Sequence, residues 1–312
     1  MTNQLFCFSG KFLITAGVLL SQIACSMPAS SPEQVSCIPA ERAEVITSRQ
    51  LSVLTLNLAH GRKDAFNQML QKTTTTQSNL EEIARFLSDS GADLVALQEA
   101  DSPSRWSGKF DHVKFISDRS PYPCRIHASH AQKYMYDFGT ALLSRVPYTI
   151  SLEHTFEPSP PTTNKGFVMG EVRWNPGGQL PEPIPVSIIS VHLDFSRKKV
   201  REAQVEEMRV ILQDTARPVI ILGDFNTDWS KDESVLKAIT TNGNLEVYQP
   251  FSTELGTYKN GQHRLDWILI SKELEFVSYE VPHINLSDHK PVLATLKLVD
   301  ISSGKQKDSK QN

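Results

Sequence analysis

The sequence predicts an α/β protein in which two packed, mixed β-sheets are flanked by helices. Three observations carry this. Apolar segments of strand length are frequent, only two long segments repeat apolar residues at helical spacing, and chemically capable polar residues collect where strands end. The 312 residues contain no internal repeat and no mid-chain linker, and they suffice for one large domain with a substantial core.

Residues 51–58 alternate apolar and polar side chains and are rich in β formers, which predicts a strand. Residues 73–77, a polar threonine run, read as a loop. Ser78-Asn79-Leu80-Glu81 then reads as a capping box, with Leu80, Ile83, Ala84 and Leu87 at helical spacing and Gly91 as the stop. Residues 93–97 form a short buried strand that delivers Gln98-Glu99. Further strands are expected at 136–144, 149–155, 166–174 and 185–192, separated by Pro- and Gly-rich loops at 157–161 and 176–185. A second helix is expected over 196–214, ended by Arg217-Pro218. The strand 219–222 follows, then three late strands at 265–270, 274–281 and 292–298.

Hydrophobic content of 39% and charged content of 21% are those of a soluble globular domain. A net charge of −3 excludes polyanion binding driven by bulk charge, although a local basic patch stays open. Residues 12–24 are an uncharged apolar run, too short to span a bilayer and suited to a secretory signal. Ile23-Ala24-Cys25 resembles the end of a bacterial lipoprotein signal, which would attach the chain to a membrane through Cys25. Gln22 stands where such signals prefer an aliphatic residue, so ordinary cleavage downstream is the alternative. The expected organisation is a signal over 1–25, a Pro/Ser-rich linker over 26–48, one domain over 49–299 and a polar tail over 300–312. The protein is expected to be exported: periplasmic, lipid-anchored or secreted. The four cysteines lack metal-ligand spacing. Cys37 and Cys124 are either one disulfide or two buried thiols.

Side chains two residues apart share one side of an extended strand end. Asp224 and Asn226 therefore act together after the apolar run 219–222. Asp288-His289 adds an acid and a group that titrates near neutrality. Asn57, Glu99 and His192 with Asp194 end other strands. Asp266 lies in an apolar strand, where an ionised carboxylate needs a partner such as a histidine. This inventory suits hydrolysis of a phosphate ester, which must hold a water, a cation and the phosphoryl oxygens.

The ordered set Leu54-Thr55-Leu56-Asn57, Leu97-Gln98-Glu99, Val191-His192-Leu193-Asp194, Gly223-Asp224-Phe225-Asn226, Arg264-Leu265-Asp266 and Ser287-Asp288-His289 resembles the endonuclease/exonuclease/phosphatase superfamily. These are deoxyribonuclease I-like, metal-dependent phosphoesterases. The resemblance runs from about residue 51 to 298 and implies a four-layered α/β sandwich with the site at one rim. It implies Glu99 as principal Mg²⁺ ligand (Mn²⁺ being the other candidate), with Asn57 and Asp288 beside it. Asp224 corresponds to the residue that orients or deprotonates water, and Asn226 to the amide that contacts phosphate. His289 corresponds to the histidine that meets the phosphate, with Asp266 behind it, and His192 to a second histidine. Asn57 and Arg197 are further substrate-binding candidates, Arg197 because it opens a helix amid Lys198, Lys199 and Arg201. Ala59 stands where apurinic-type endonucleases place an acid, which counts against DNA repair.

The expected protein is thus an exported, monomeric, Mg²⁺-dependent phosphodiesterase or phosphatase. A nonspecific secreted nuclease, a sphingomyelinase-like phospholipid hydrolase and an inactive binding module of the same fold are the alternatives.

Overall fold

A computed structural model describes residues 35–37, 43–230 and 234–299. The expected signal sequence, Cys25 and the polar tail lie outside the described residues. Part of the expected linker is described, and it joins the domain. Val35–Cys37 (β1) pairs with Cys124–Lys133 (β4), and Ile46 is buried in the core. Cys37 and Cys124 are register partners and are joined as a disulfide, which decides the choice the sequence left open.

The remaining strands are β2 (Leu51–Asn57), β3 (Leu94–Asp101), β5 (Tyr136–Ser144), β6 (Ile150–Thr155), β7 (Gly166–Trp174) and β8 (Ile184–His192). They continue as β9 (Val219–Asp224), β10 (Leu245–Val247), β11 (Asp266–Ser271), β12 (Leu274–Glu280) and β13 (Val292–Leu298). The helices are α1 (Thr73–Ser90), α2 (His112–Ser117), α3 (Lys198–Ile211) and α4 (Val235–Gly243). One sheet has seven strands in the order β1-β4-β5-β3-β2-β13-β12; the other has six, β10-β11-β9-β8-β7-β6. Each contains one parallel pair, β2 with β3 across α1 and β8 with β9 across α3.

Strand alternation divides the core. Leu51 and Val53 point between the sheets with Ile188, Ile220 and Ile268, while Leu54 and Leu56 point out to Leu80, Ile83 and Leu87 of α1. On the other outer face, Ile189 and Val191 meet Met208 of α3 and Leu236 of α4. The result is the expected four-layered sandwich, α/β/β/α. Each fully buried leucine contributes about 2 kcal/mol, so the helices are held by their apolar stripes.

The start of α1 corrects the sequence reading. The threonine run is helical, and Ser78 caps nothing. Gln71, just before the helix, donates to Thr76 Oγ1 in its first turn at 2.9 Å, and Asn79 ties the helix to a distant loop by donating to the Gly61 carbonyl at 2.9 Å. No local motif encodes the bond to Gly61. The sequence reading also missed β4, α2, α4 and β10. Of these, β4 interleaves alanines with polar residues and carries little apolar signal.

Candidate active site

The two parallel units place their chemistry at one rim. β2 ends at Asn57, and His192 and Asp224, the last residues of β8 and β9, are register partners. Neighbouring antiparallel strands begin at the same rim: β11 at Asp266, the register partner of Asp224, and β13 just after Asp288-His289. Ligand sites in α/β sheets form at such carboxyl ends.

Glu99 is brought in by a β-bulge. Register shifts between Gln98 and Ala100, and Glu99 adopts φ 47°, a left-handed conformation costly for a non-glycine residue. The extra residue lets Gln98 turn into the core, where its amide donates to Ser190 Oγ at 3.0 Å, while Glu99 faces the cavity. Burial alone would raise the Glu99 pKa, but His60, Lys165, His192 and His289 hold it down to about 2. It is an ionised carboxylate surrounded by nitrogen donors. His60 Nε2 lies 3.3 Å from it, and His60 Nδ1 lies 2.8 Å from buried Asp101.

Across the cavity, Asp224 Oδ2 is the centre of a convergent set. Asn57 donates to it at 3.0 Å, His192 Nε2 stands at 3.5 Å and His289 Nε2 at 3.9 Å. Asp224 Oδ1 accepts the Asn226 backbone N–H at 2.9 Å. Burial raises the Asp224 pKa; His289 opposes the rise and Asp266 adds to it. Behind His289, Asp266 Oδ2 sits 2.8 Å from Nδ1 and accepts the Thr257 hydroxyl at 2.6 Å. Burial works against charge on His289, yet Asp266 and Asp224 raise its pKa, so it holds its proton at neutral pH. His192 is the opposite case: burial, then Lys165, pushes its pKa well down and leaves it neutral. The cavity between these groups measures about 400 Å³. An ionised carboxylate, a raised carboxylate and a protonated imidazole thus face one volume, a pattern that marks acid–base sites.

The sequence matches the profile of the Endonuclease/Exonuclease/phosphatase family over residues 54–289, which includes every residue just placed. The chain belongs to that family. Solved structures of the same fold include an endonuclease/exonuclease/phosphatase family protein from Bacteroides thetaiotaomicron, 16% identical with a TM-score of 0.59, covering 79% of this chain and 97% of that one. A mannosyl-6-phosphatase from the same organism is 17% identical with a TM-score of 0.58, covering 79% of this chain and 99% of that one. The human Nocturnin catalytic domain with bound sulfate is 18% identical with a TM-score of 0.59, covering 82% of this chain and 97% of that one. No curated protein matches the sequence. Members of the Endonuclease/Exonuclease/phosphatase family are generally hydrolases of phosphate esters, and typically depend on a divalent metal.

Of the residues expected from sequence, Asn57, Glu99, His192, Asp224, Asn226, Asp266, Asp288 and His289 come together at this rim. Asn226 lines the cavity with one amide hydrogen bonded to the Leu193 carbonyl at 3.0 Å. Asp288 is ion-paired with Arg62 at 2.5 Å. Arg197 is the correction. Its guanidinium binds the Pro160 carbonyl at 2.9 Å, the Ser159 carbonyl and Thr162 Oγ1, and it does not line the cavity. It clamps the Pro-rich loop. Arg201 is likewise turned inward to the Asp194 carbonyl at 2.9 Å, and Asp194 itself fixes the start of α3 by accepting from Ser196 and Arg197 backbone N–H groups. The cationic run is therefore structural at those two positions.

Lys165, Tyr258, Arg62 and His60 also belong to the site, and no motif in the sequence marks them. Lys165 is buried with Nζ 3.4 Å from His192 Nδ1. Its only signal is cross-strand: Gly166, the next residue, is the register partner of His192. The Tyr258 ring packs on His289 with centroids 4.7 Å apart.

Proposed function

We propose that the protein is an exported, Mg²⁺-assisted phosphoesterase that hydrolyses a phosphomonoester or phosphodiester by attack of water. The observation that carries this reading is the convergence of Asn57, His192 and His289 on Asp224 Oδ2, opposite ionised Glu99.

Two donor sets can be weighed for a cation. Oxygen and nitrogen atoms of Asp224, Asp266 and His289 lie within 4.8 Å of one another, and all three residues are buried. Asp266 Oδ2, however, already bonds both His289 and Thr257, which favours a proton-holding pair over a metal cage. Glu99 is ionised, faces the cavity and offers the hard oxygen that Mg²⁺ or Mn²⁺ prefers. Glu99 would hold the ion; Asp288 lines the same cavity as a second carboxylate, paired with Arg62, whereas Asn57 Oδ1 already accepts the Ala59 N–H at 3.0 Å and its amide donates to Asp224. When bound, such an ion supplies positive charge to the phosphoryl oxygens.

The remaining chemistry belongs to the chain. Asp224 Oδ2 takes a proton from the attacking water, and its raised pKa makes it a stronger base than an exposed carboxylate. The water oxygen bonds to phosphorus as the ester P–O bond breaks. His289 Nε2–H faces the developing charge and can donate its proton to the departing oxygen, while Asp266 holds Nδ1–H and stabilises the imidazolium. Lys165 beside Nδ1 of His192 leaves its Nε2–H aimed toward Asp224 and the phosphoryl group. The proton on Asp224 can return to His289 across 3.9 Å.

Export is supported by the apolar run 12–24 and by the Cys37–Cys124 disulfide, which suits an oxidising compartment. The guanidinium groups of Arg197 and Arg201 bind backbone carbonyls of the protein itself, which weakens the nuclease alternative. The test is turnover of an aryl phosphodiester, an aryl phosphomonoester, DNA and sphingomyelin by purified protein. Cleavage of none of them with Mg²⁺ or Mn²⁺ present would overturn the reading.

A further inference from the structure

His60 lies between two carboxylates of one strand, β3. Its Nδ1 stands 2.8 Å from Asp101 Oδ2, and its Nε2 stands 3.3 Å from Glu99 Oε2. Asp101 is fully buried and accepts the His60 Nδ1–H, the partner that a carboxylate in such a place requires. The other histidine beside it, His112, keeps Nδ1 at 3.7 Å and gives its Nε2–H to the Ser107 carbonyl at 3.0 Å. His60 itself is buried and does not line the catalytic cavity, whereas Glu99 does. Its reach into the site is through Glu99.

Both members of that contact are held against backbone preference. Glu99 sits at φ 47° in its bulge, and His60 at φ 55° in a left-handed run with Ala59 at 45° and Gly61 at 69°. Non-glycine residues enter this region at a cost, and they stay there only where the surroundings hold them. The holding contacts are visible on every side of His60. Phe138 packs edge-on to the ring with centroids 4.7 Å apart, and Trp106 does so at 5.6 Å. The next residue, Gly61, has its carbonyl bound by Asn79 at 2.9 Å and Gln71 at 3.2 Å.

We propose that His60 is a positioning residue for Glu99, fixed by Asp101 on one side of the ring and fixing the Glu99 carboxylate on the other. The inference rests on the reading of Glu99 as the cation's ligand and adds how the chain aims it. A carboxylate on a bulge has several rotamers open to it. An immobilised ring against Oε2 selects one of them, as outer partners of metal-binding side chains do.

Mn²⁺ binding to the purified full chain, read by electron paramagnetic resonance without substrate, tests this with two neutral replacements. His60→Gln carries an amide about as far as Nε2, while His60→Asn stops near Nδ1 and suits left-handed backbone. Both lose the same charge, so their difference reports reach to Glu99. His60→Asn should weaken Mn²⁺ binding roughly ten- to a hundredfold, and His60→Gln should recover most of that loss. In a Glu99→Gln background, His60→Asn should cost nothing further. Asp101→Asn, which removes the anion that fixes Nδ1, should weaken binding several-fold by itself and should carry the test if His60→Asn does not fold. Equal affinities in the two His60 variants, an undiminished cost of His60→Asn beside Glu99→Gln, or unchanged binding in Asp101→Asn would overturn the proposal. The phosphoesterase reading fails separately. A protein that shows this binding pattern but hydrolyses no phosphate ester keeps the positioning role and loses that reading, and an active one whose His60 variants bind alike loses only the proposal.

Discussion

Asp224 and Asp266 are direct cross-strand partners at the open ends of β9 and β11. Their side chains therefore leave the sheet on the same face. The two carboxylates are told apart by their partners. Asp266 is tied to His289 Nδ1 and Thr257, whereas Asp224 turns Oδ2 to the cavity and has its pKa raised, chiefly by burial.

This division predicts unequal mutational costs. Asp224→Ala and His289→Ala should each lower turnover by at least about a hundred- to ten-thousandfold, with the fold intact by circular dichroism. Asp266→Asn should cost less, since the imidazole stays in place. The His289→Ala/Asp266→Asn double variant should be little worse than His289→Ala alone, because the pair acts as a unit. Losses that multiply in full would show that Asp266 acts independently of His289.

Metal removal should abolish hydrolysis, and added Mg²⁺ or Mn²⁺ should restore it. Glu99→Gln, which keeps the shape and removes the charge, should sharply raise the metal concentration needed for half-maximal activity. Undiminished turnover by the chelated protein would contradict the assignment.

His130 gives a pH dependence of stability away from the active site. It is buried between the Thr155 and Thr140 hydroxyls, and burial first, then His127, His154 and Lys165, lowers its pKa to about 3. The unfolded chain binds that proton near the ordinary histidine pKa, so stability is full above about pH 6.5. It declines as pH falls toward 3, where the folded state also takes up the proton. Urea unfolding at pH 7.5 and pH 5 should show this loss in the unmodified protein and a smaller one in His130→Gln. The same pH response in both proteins would remove His130 as its source.

Processing should remove roughly the first two dozen residues, as expected of a signal sequence. Mass spectrometry of protein recovered from the exporting cell distinguishes the routes. A diacylglyceryl group on Cys25 supports membrane attachment, and an unmodified N-terminus further along rules it out.

The sequence by itself determined most strands, the sandwich class and nearly all of the catalytic rim. Those features are local: alternation marks a strand, and Asn57, His192, Asp224 and Asp288-His289 lie at or beside strand ends where apolar runs stop. Asp266 was legible for a related reason, since a carboxylate opening an apolar strand needs a partner. Only the tertiary structure decided which side chains meet. Arg197 sits beside a catalytic strand in sequence, yet the Ser159–Pro160 carbonyls lie closer to its guanidinium than the cavity does. Lys165 and Arg62 enter the site through strand register and a long-range ion pair, and Asn79 anchors α1 to Gly61. Cys37 and Cys124 pair because β1 lies along β4. Each of these depends on contacts between residues far apart in the chain, and local side-chain periodicity carries no information about which distant partner a donor or acceptor will find.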